Sequence, residues 1–147
     1  MPQTDPHARN LRLGRYSELG RAYHVTTTTL HQAAVFADFL AARTLIQCLK
    51  SSDDLARSET LAFVVMPTHL HWLFVLKAGN LAEVVGAVKS VSAHRLGRRL
   101  WQPGYFDHGI RRDEDLRGVA RYIIANPVRA RLVEQVGDYP HWDAMWL

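Results

Sequence analysis

Apolar and polar residues along this chain follow two rhythms, one of period two and one of period near 3.6, and the switches between them outline its elements. RAYHVTTTT (21–29) is rich in β-branched and aromatic residues and predicts a first strand. From Ala33 to Lys50 apolar positions fall at Phe36, Phe39, Leu40, Ile46 and Leu49, the spacing of an amphipathic helix, and SSDDLARSE (51–59) breaks it. TLAFVVM (60–66) and HLHWLFVL (69–76) predict a second and a third strand. Pro67 and Thr68 stand between them, and a proline donates no amide hydrogen to a ladder, so the pair forms a tight hairpin. Gly79 and Asn80 end that strand. Leu81, Val84, Val85, Val88 and Val91 make one stripe of a second helix running to about Arg98. GYFDHGIRR (104–112) predicts a fourth strand. Asp113 then caps a third helix, with Glu114 and Asp115 in its first turn, where acids suit the positive end of the helix dipole. Asn126-Pro127 closes that helix, because a residue before proline avoids the α region.

The order strand, helix, strand, strand, helix, strand is the split βαβ, or ferredoxin-like, pattern (βαββαβ) with one further helix appended. The expected class is therefore α+β: an antiparallel sheet, both crossover helices on one face, and an additional C-terminal helix available to cover part of the other. The reading is of one domain over 1–147, with a basic N-terminal arm at 1–20 and a tail at 128–147. The tail segment DYPHWDAMWL, with Trp142 and Trp146, is expected to dock on the domain.

Composition narrows the classes. The 147 residues are 48% hydrophobic and 22% charged, as in a globular chain with a real core. No run of eighteen apolar residues suggests a membrane span, and MPQTDPHARNLRLGR lacks the apolar centre of a secretory signal. Cys48 is the single cysteine, so neither a disulfide framework nor a cysteine-cluster zinc site is available within one chain, and a cytoplasmic location is expected. The net charge of +4 is uneven. Arg9, Arg12, Arg15 and Arg21 face one acid, Glu18, over residues 9–21, while Lys89, Arg95, Arg98 and Arg99 have none over 89–99. Such clusters suit phosphate contacts or are ordinary solvated surface.

Two places carry candidate chemistry. Strand alternation puts His69, His71 and Leu73 on one face and Leu70, Trp72 and Phe74 on the other. A lone strand histidine is usually structural, but two imidazoles on one face can hold a metal or a phosphate. On the third helix Leu116, Val119, Ala120 and Ile123 form the apolar stripe, and Tyr122 and Asn126 lie one turn apart at its edge. An amide oxygen is a hard ligand suited to Mg²⁺ or Mn²⁺. Two imidazoles and one such oxygen would fill one side of an octahedron and leave the other open to water and phosphate oxygens. Zinc suits the set less, since it offers neither thiolate nor carboxylate.

MPTHLHWLF, LWQPGYFDHGIRRDEDL and RYIIANPVRARLV together resemble the REP-associated tyrosine transposases, relatives of the single-tyrosine insertion-sequence transposases within the HUH endonucleases. The resemblance runs over roughly residues 12–143, and its third motif, a tyrosine followed at fixed spacing by Asn-Pro-Val-Arg, is specific. It implies the ferredoxin-like fold, His69 and His71 as metal ligands around Leu70, Tyr122 as nucleophile, and Asn126 where relatives carry a polar third ligand, often glutamine. Thr68 departs from the commoner Asn or Asp before the first histidine, a change expected to act on the turn more than on the ligands. Arg131 stands where glycine is common, beyond the motif.

What the resemblance implies chemically is a nicking and joining enzyme for single-stranded DNA. A divalent cation, Mg²⁺ or Mn²⁺, neutralises the scissile phosphate, Tyr122 attacks it in line, and the 3′-hydroxyl leaves. The 5′-phosphotyrosine bond is an ester of similar energy, so a second 3′-hydroxyl can reverse the step without ATP. The implied partners are hairpin-forming palindromic repeats of a bacterial nucleoid, with Arg12, Arg15, Arg21, Lys89, Arg95, Arg98 and Arg99 as candidate DNA contacts, Lys89 first among them. All proposed groups lie on one chain, which permits a monomer, while insertion-sequence relatives dimerise. His94 and His108 could be accessory; Trp101, Tyr105 and Phe106 offer stacking surfaces, with core packing the favoured reading. Three rivals stand beside this reading. One is a catalytically inactive single-stranded nucleic-acid-binding module of the same fold. Another is an RNA-recognition domain, whose aromatic signature is absent from strand three. The third is a small hydrolase using water, which leaves the Tyr122/Asn126 pair unexplained.

Overall fold

A computed structural model describes residues 17–112 and 114–145 of the chain. Its strands are β1 (Ala22–Thr28), β2 (Ser58–Met66), β3 (His69–Leu76), β4 (Phe106–Gly109) and β5 (Trp142–Ala144), and its longer helices α1 (Phe39–Asp54), α2 (Leu81–Leu96) and α3 (Leu116–Ile124), followed by one turn, α4 (Asn126–Arg129). The strands form one antiparallel sheet in the order β4-β1-β3-β2-β5. The first four have the ferredoxin-like order, and the added helix is α3.

The sheet has two dry faces because β2 and β3 are apolar on both sides. On one face Val25, Phe63, Val65, Leu70, Trp72 and Phe74 pack against Ala42, Leu45 and Leu49 of α1 and Val84, Val85 and Val88 of α2. On the other, Ala62, Val64, Met66 and Leu73 pack against Ala120, Ile123 and Ile124 of α3, with Tyr139 and Ala144 of the tail. Each helix start has a chemical reason. Asp38 accepts from the Ala41 amide at α1, and Asn80 and Glu83 form a reciprocal capping box at α2, which ends on left-handed Gly97.

Several boundaries differ from expectation, and the fourth strand, expected over 104–112, is only Phe106–Gly109. The first helix starts at Phe39, because residues 30–37 are spent in two short 3₁₀ turns pinned by Thr29 and by a bond from the Phe36 amide to the Pro67 carbonyl. Phe36 is buried all the same, while Phe39 and Leu40, expected in the stripe, are 56% and 72% exposed. The third helix starts at Leu116 with Asp115, not Asp113, as its cap: the Asp115 carboxylate accepts from the Arg117 amide. Asp113 lies outside the described residues. Glu114, expected in that helix, closes the preceding turn by accepting from the Arg111 amide. Asn126-Pro127 interrupts the helix without ending it: the break falls at Ala125, and Pro127 enters the first turn of α4, where its missing hydrogen is not needed. The tail docks as expected, but it does so as a strand, β5 pairing with Ala62–Val64, while the Tyr139 hydroxyl donates to the Val65 carbonyl at 2.5 Å and the Trp142 indole to Val136. Trp146 lies outside the described residues.

Candidate active site

The two-residue link Pro67-Thr68 pairs Met66 with His69, so the first histidine opens β3 directly after the turn. Pairing across the sheet then lines up the face on which α3 packs. Residues directly opposite on neighbouring strands share a face. His71 lies beside Thr26 of β1, which lies beside Phe106 of β4; one row away, Leu73 lies beside His24, which lies beside His108. Three imidazoles therefore gather where the sequence pattern shows two. The rings of His69 and His71 meet edge-on with centroids 5.0 Å apart, and those of His24 and His71 tilt together at 5.2 Å.

Hydrogen bonds select which nitrogen each ring can offer. His71 Nδ1 lies 3.0 Å from His24 Nε2 and 3.1 Å from Thr26 Oγ1, and His69 Nδ1 lies 3.0 Å from Thr68 Oγ1. In both ligand candidates Nδ1 is occupied by protein, and Nε2 is the nitrogen left for a cation or phosphate. Thr68 thus contacts the His69 ring directly as well as forming the turn. Burial keeps these rings neutral. His71 is pushed down to about 3, mainly by desolvation, with His24, His69 and Arg129 adding repulsion; His24 is pushed down to about 4 by burial and by His108, and burial lowers His69. A neutral imidazole has no proton for a metal to displace. Among the described residues no three His, Cys, Asp or Glu side chains are grouped to hold a metal. A cation here would need a different third donor, and the amide oxygen of Asn126 is of the right type. The Asn126 Nδ2 donates to the Ile123 carbonyl at 3.3 Å, which engages the donor end of that amide and not its acceptor. Two imidazoles and an amide oxygen are donor types that suit Mg²⁺ or Mn²⁺.

Tyr122 sits on α3 beside fully buried Ile123 and is itself 61% exposed, at the edge of the helix's apolar stripe. The guanidinium of Arg129, from α4, lies over its ring at 3.9 Å from the centroid. The same Arg129 charge acts on His71. Arg129 thus lies over the Tyr122 ring and within electrostatic reach of His71. His24 and Arg129 are the residues that pattern reading missed. Arg129 lies within the quoted Asn-Pro-Val-Arg motif; His24 shows no local signal, since only the register of β1 against β3 brings it to His71.

The basic residues divide. Arg12 and Arg15 lie outside the described residues. Lys89, first among the candidate DNA contacts, is half-buried: its ammonium donates to the carbonyls of Gln102 at 3.0 Å and Gly104 at 2.7 Å, and burial lowers it to about 8. Arg21 likewise donates to the Ile110 carbonyl and pairs with Glu18 at 3.2 Å. Arg95, Arg98 and Arg99 are exposed at the end of α2. His94 is exposed, and His108 pairs with Glu114 at 3.1 Å. Of the three aromatics, Tyr105 is buried and the half-buried Trp101 donates to Ser92, but Phe106 is exposed. The site is an open sheet face; a hollow of about 550 Å³ opens elsewhere, beside Arg21, Val75 and Ile110 at the other end of the strands.

Comparison with known proteins bears on this arrangement. A REP-associated tyrosine transposase of Escherichia coli K12 is 35% identical over 85 residues, covering 56% of this chain and 52% of that protein. The chain is related in sequence to the REP-associated tyrosine transposases. A second relative, a Haemophilus influenzae protein assigned by name to the same group, is 30% identical over 100 residues, covering 56% of this chain and 57% of that protein. The chain spans little more than half the length of these curated relatives. A solved REP-associated tyrosine transposase bound to a REP hairpin superposes with a TM-score of 0.78 at 24% identity, over 97% of this chain and 82% of that one, and shows the same fold. No protein-family model matches the chain.

Proposed function

We propose that this chain is a transposase-type enzyme that cuts and rejoins single-stranded DNA at hairpin-forming repeats, with Tyr122 as nucleophile. The observation that carries the reading is the Tyr122–Arg129 stack beside a sheet face whose two ligand-type imidazoles are neutral and held by Nδ1. His69 and His71, with the amide oxygen of Asn126, would hold Mg²⁺ or Mn²⁺. Such an ion supplies charge neutralisation at the scissile phosphate. Thr68, Thr26 and His24 fix the ring orientations, so no reorganisation is needed when DNA arrives. Arg129 holds the Tyr122 ring by its face and leaves the hydroxyl edge open. The phenol oxygen forms a bond to phosphorus, its proton passes to solvent, and the bond from phosphorus to the 3′-oxygen breaks, giving a 3′-hydroxyl and a 5′-phosphotyrosine. Attack by another 3′-hydroxyl reverses the step. The relative solved with a REP hairpin supports a hairpin as the substrate class.

Incubation with a 5′-radiolabelled hairpin oligonucleotide and with one labelled at its 3′ end, in Mn²⁺, followed by denaturation, tests the reading. The 3′-labelled strand should become protein-bound, the label should map to the peptide holding Tyr122, and Tyr122→Phe should give no adduct. An adduct that survives Tyr122→Phe refutes the nucleophile. Hairpin binding with no adduct under any divalent ion favours the inactive binding module.

A further inference from the structure

Phe106 stands on the histidine face of the sheet and is 53% exposed. Through Thr26 it shares a cross-strand row with His71, two strand spacings away, about 10 Å. A single exposed aromatic is ordinary on a protein surface. This one is unusual in its setting. The strand residues nearest to it on the face are Thr26, His24 and His108, with His71 beyond Thr26, none of them apolar. Its backbone is also held firmly. Tyr105 before it is buried, Gly104 takes a left-handed φ of 79°, and the Lys89 ammonium clamps the carbonyls of Gln102 and Gly104. Upstream, the segment from Leu100 to Gln102 bonds to Leu30 and Thr28 at the end of β1, and exposed Arg98 and Arg99 precede it; exposed Arg112 follows β4. An exposed aromatic on a firmly held backbone, with exposed arginines before and after it in the sequence, supplies the two parts that bind single-stranded nucleic acid, cations for phosphates and a ring for a base.

We infer that Phe106 is a stacking platform for an unpaired base adjoining the scissile phosphate, which fixes where along the single strand cleavage falls. The inference rests on the nuclease reading above. Stacking of this kind is sequence-tolerant, because every base offers a π-face, so Phe106 would set position and not base identity.

The test measures affinity for a hairpin carrying a single-stranded flank, with the same hairpin lacking the flank as comparison. Phe106→Ala should weaken binding of the flanked hairpin roughly 5- to 150-fold, the span of base–aromatic stacking, and leave the bare hairpin unaffected. Phe106→Trp should restore it. Abasic substitutions walked along the flank should find one position that weakens wild type by the same factor and Phe106→Ala not at all. Equal affinity of wild type and Phe106→Ala for the flanked hairpin, or abasic effects that add fully to Phe106→Ala at every position, would overturn the platform. Wild-type adduct formation on the same oligonucleotide separates the two levels: its presence with an insensitive Phe106 overturns the platform alone, and its absence overturns the nuclease reading beneath it.

Discussion

Acid should unfold this protein through its histidine cluster, and the size of the effect follows from the site. His24 and His71 ordinarily titrate at 6.5 but are held at about 4 and about 3 in the folded chain. The unfolded chain therefore takes up protons first as pH falls, so unfolding becomes easier. The stability is fully present well above 6.5 and is lost on descent through that value toward the folded ones. At pH 5 the unfolded imidazoles are 1.5 units past their midpoint while the folded ones are still mostly neutral. At about 1.4 kcal/mol per unit, each ring then contributes about 2 kcal/mol of lost stability, and the pair at most about 4 kcal/mol. His69, His108 and Arg129 surround the pair and reinforce the repulsion once either ring is charged. Urea unfolding at pH 7.5 and pH 5 in the presence of a chelator measures the loss, and a His24→Gln/His71→Gln variant supplies the reference, since background groups such as His141 and Glu114 titrate in both. Wild type should lose about 3–4 kcal/mol more than the variant. A difference under about 1 kcal/mol would show that the imidazoles are not desolvated, and with it would go the argument that they wait as neutral ligands.

Three further outcomes are expected. Thr68→Val removes the hydroxyl at His69 Nδ1 and should weaken Mn²⁺ binding, followed calorimetrically, by roughly 10-fold or more; unchanged affinity would return Thr68 to a turn residue. Lys89→Met leaves the Gln102 and Gly104 carbonyls without their donor and should cost about 2 kcal/mol in denaturant unfolding, whereas a purely DNA-contacting lysine would leave stability alone. Arg98→Ala with Arg99→Ala should flatten the log-log salt dependence of hairpin binding by about 1.4, two phosphate contacts at about 0.7 each; an unaltered slope would make both ordinary surface.

Much of the fold was legible because its signals are local. The alternation of HLHWLFVL, the Pro67-Thr68 turn and the valine stripe of α2 each act within a few residues, and together they imply the order of the first four strands. The pairing of His69 with His71 was legible for the same reason. What could not be read depends on long-range register or on competition between local choices. His24 reaches His71 only because β1 pairs with β3 in one register out of several. Lys89 reads as a phosphate contact from its helix position, and its bonds to the carbonyls of Gln102 and Gly104 depend on the fold of residues 102–104. Phe39 and Leu40 fit a helical stripe, but Asp38 makes a stronger cap than any residue upstream, and starting the helix there turns both outward. β5 is three residues long, too short for a period of two to declare itself.

That short strand has a consequence for how copies of the chain behave toward one another. β2 is nine residues long and apolar on both faces from Leu61 onward, and its outer row of amides and carbonyls is covered along Leu61–Val65 by β5 together with His141, Met145 and the Tyr139 hydroxyl. The opposite border, β4, offers just four residues. Both border strands, β5 and β4, are thus too brief for a neighbouring molecule's strand to zip onto, which suits a protein whose sheet interior is so rich in valine and leucine. Proteolysis ahead of Trp142 would uncover the longest hydrophobic ladder in the sheet, and the clipped protein should add molecules edge to edge and precipitate at concentrations where the intact chain stays dispersed.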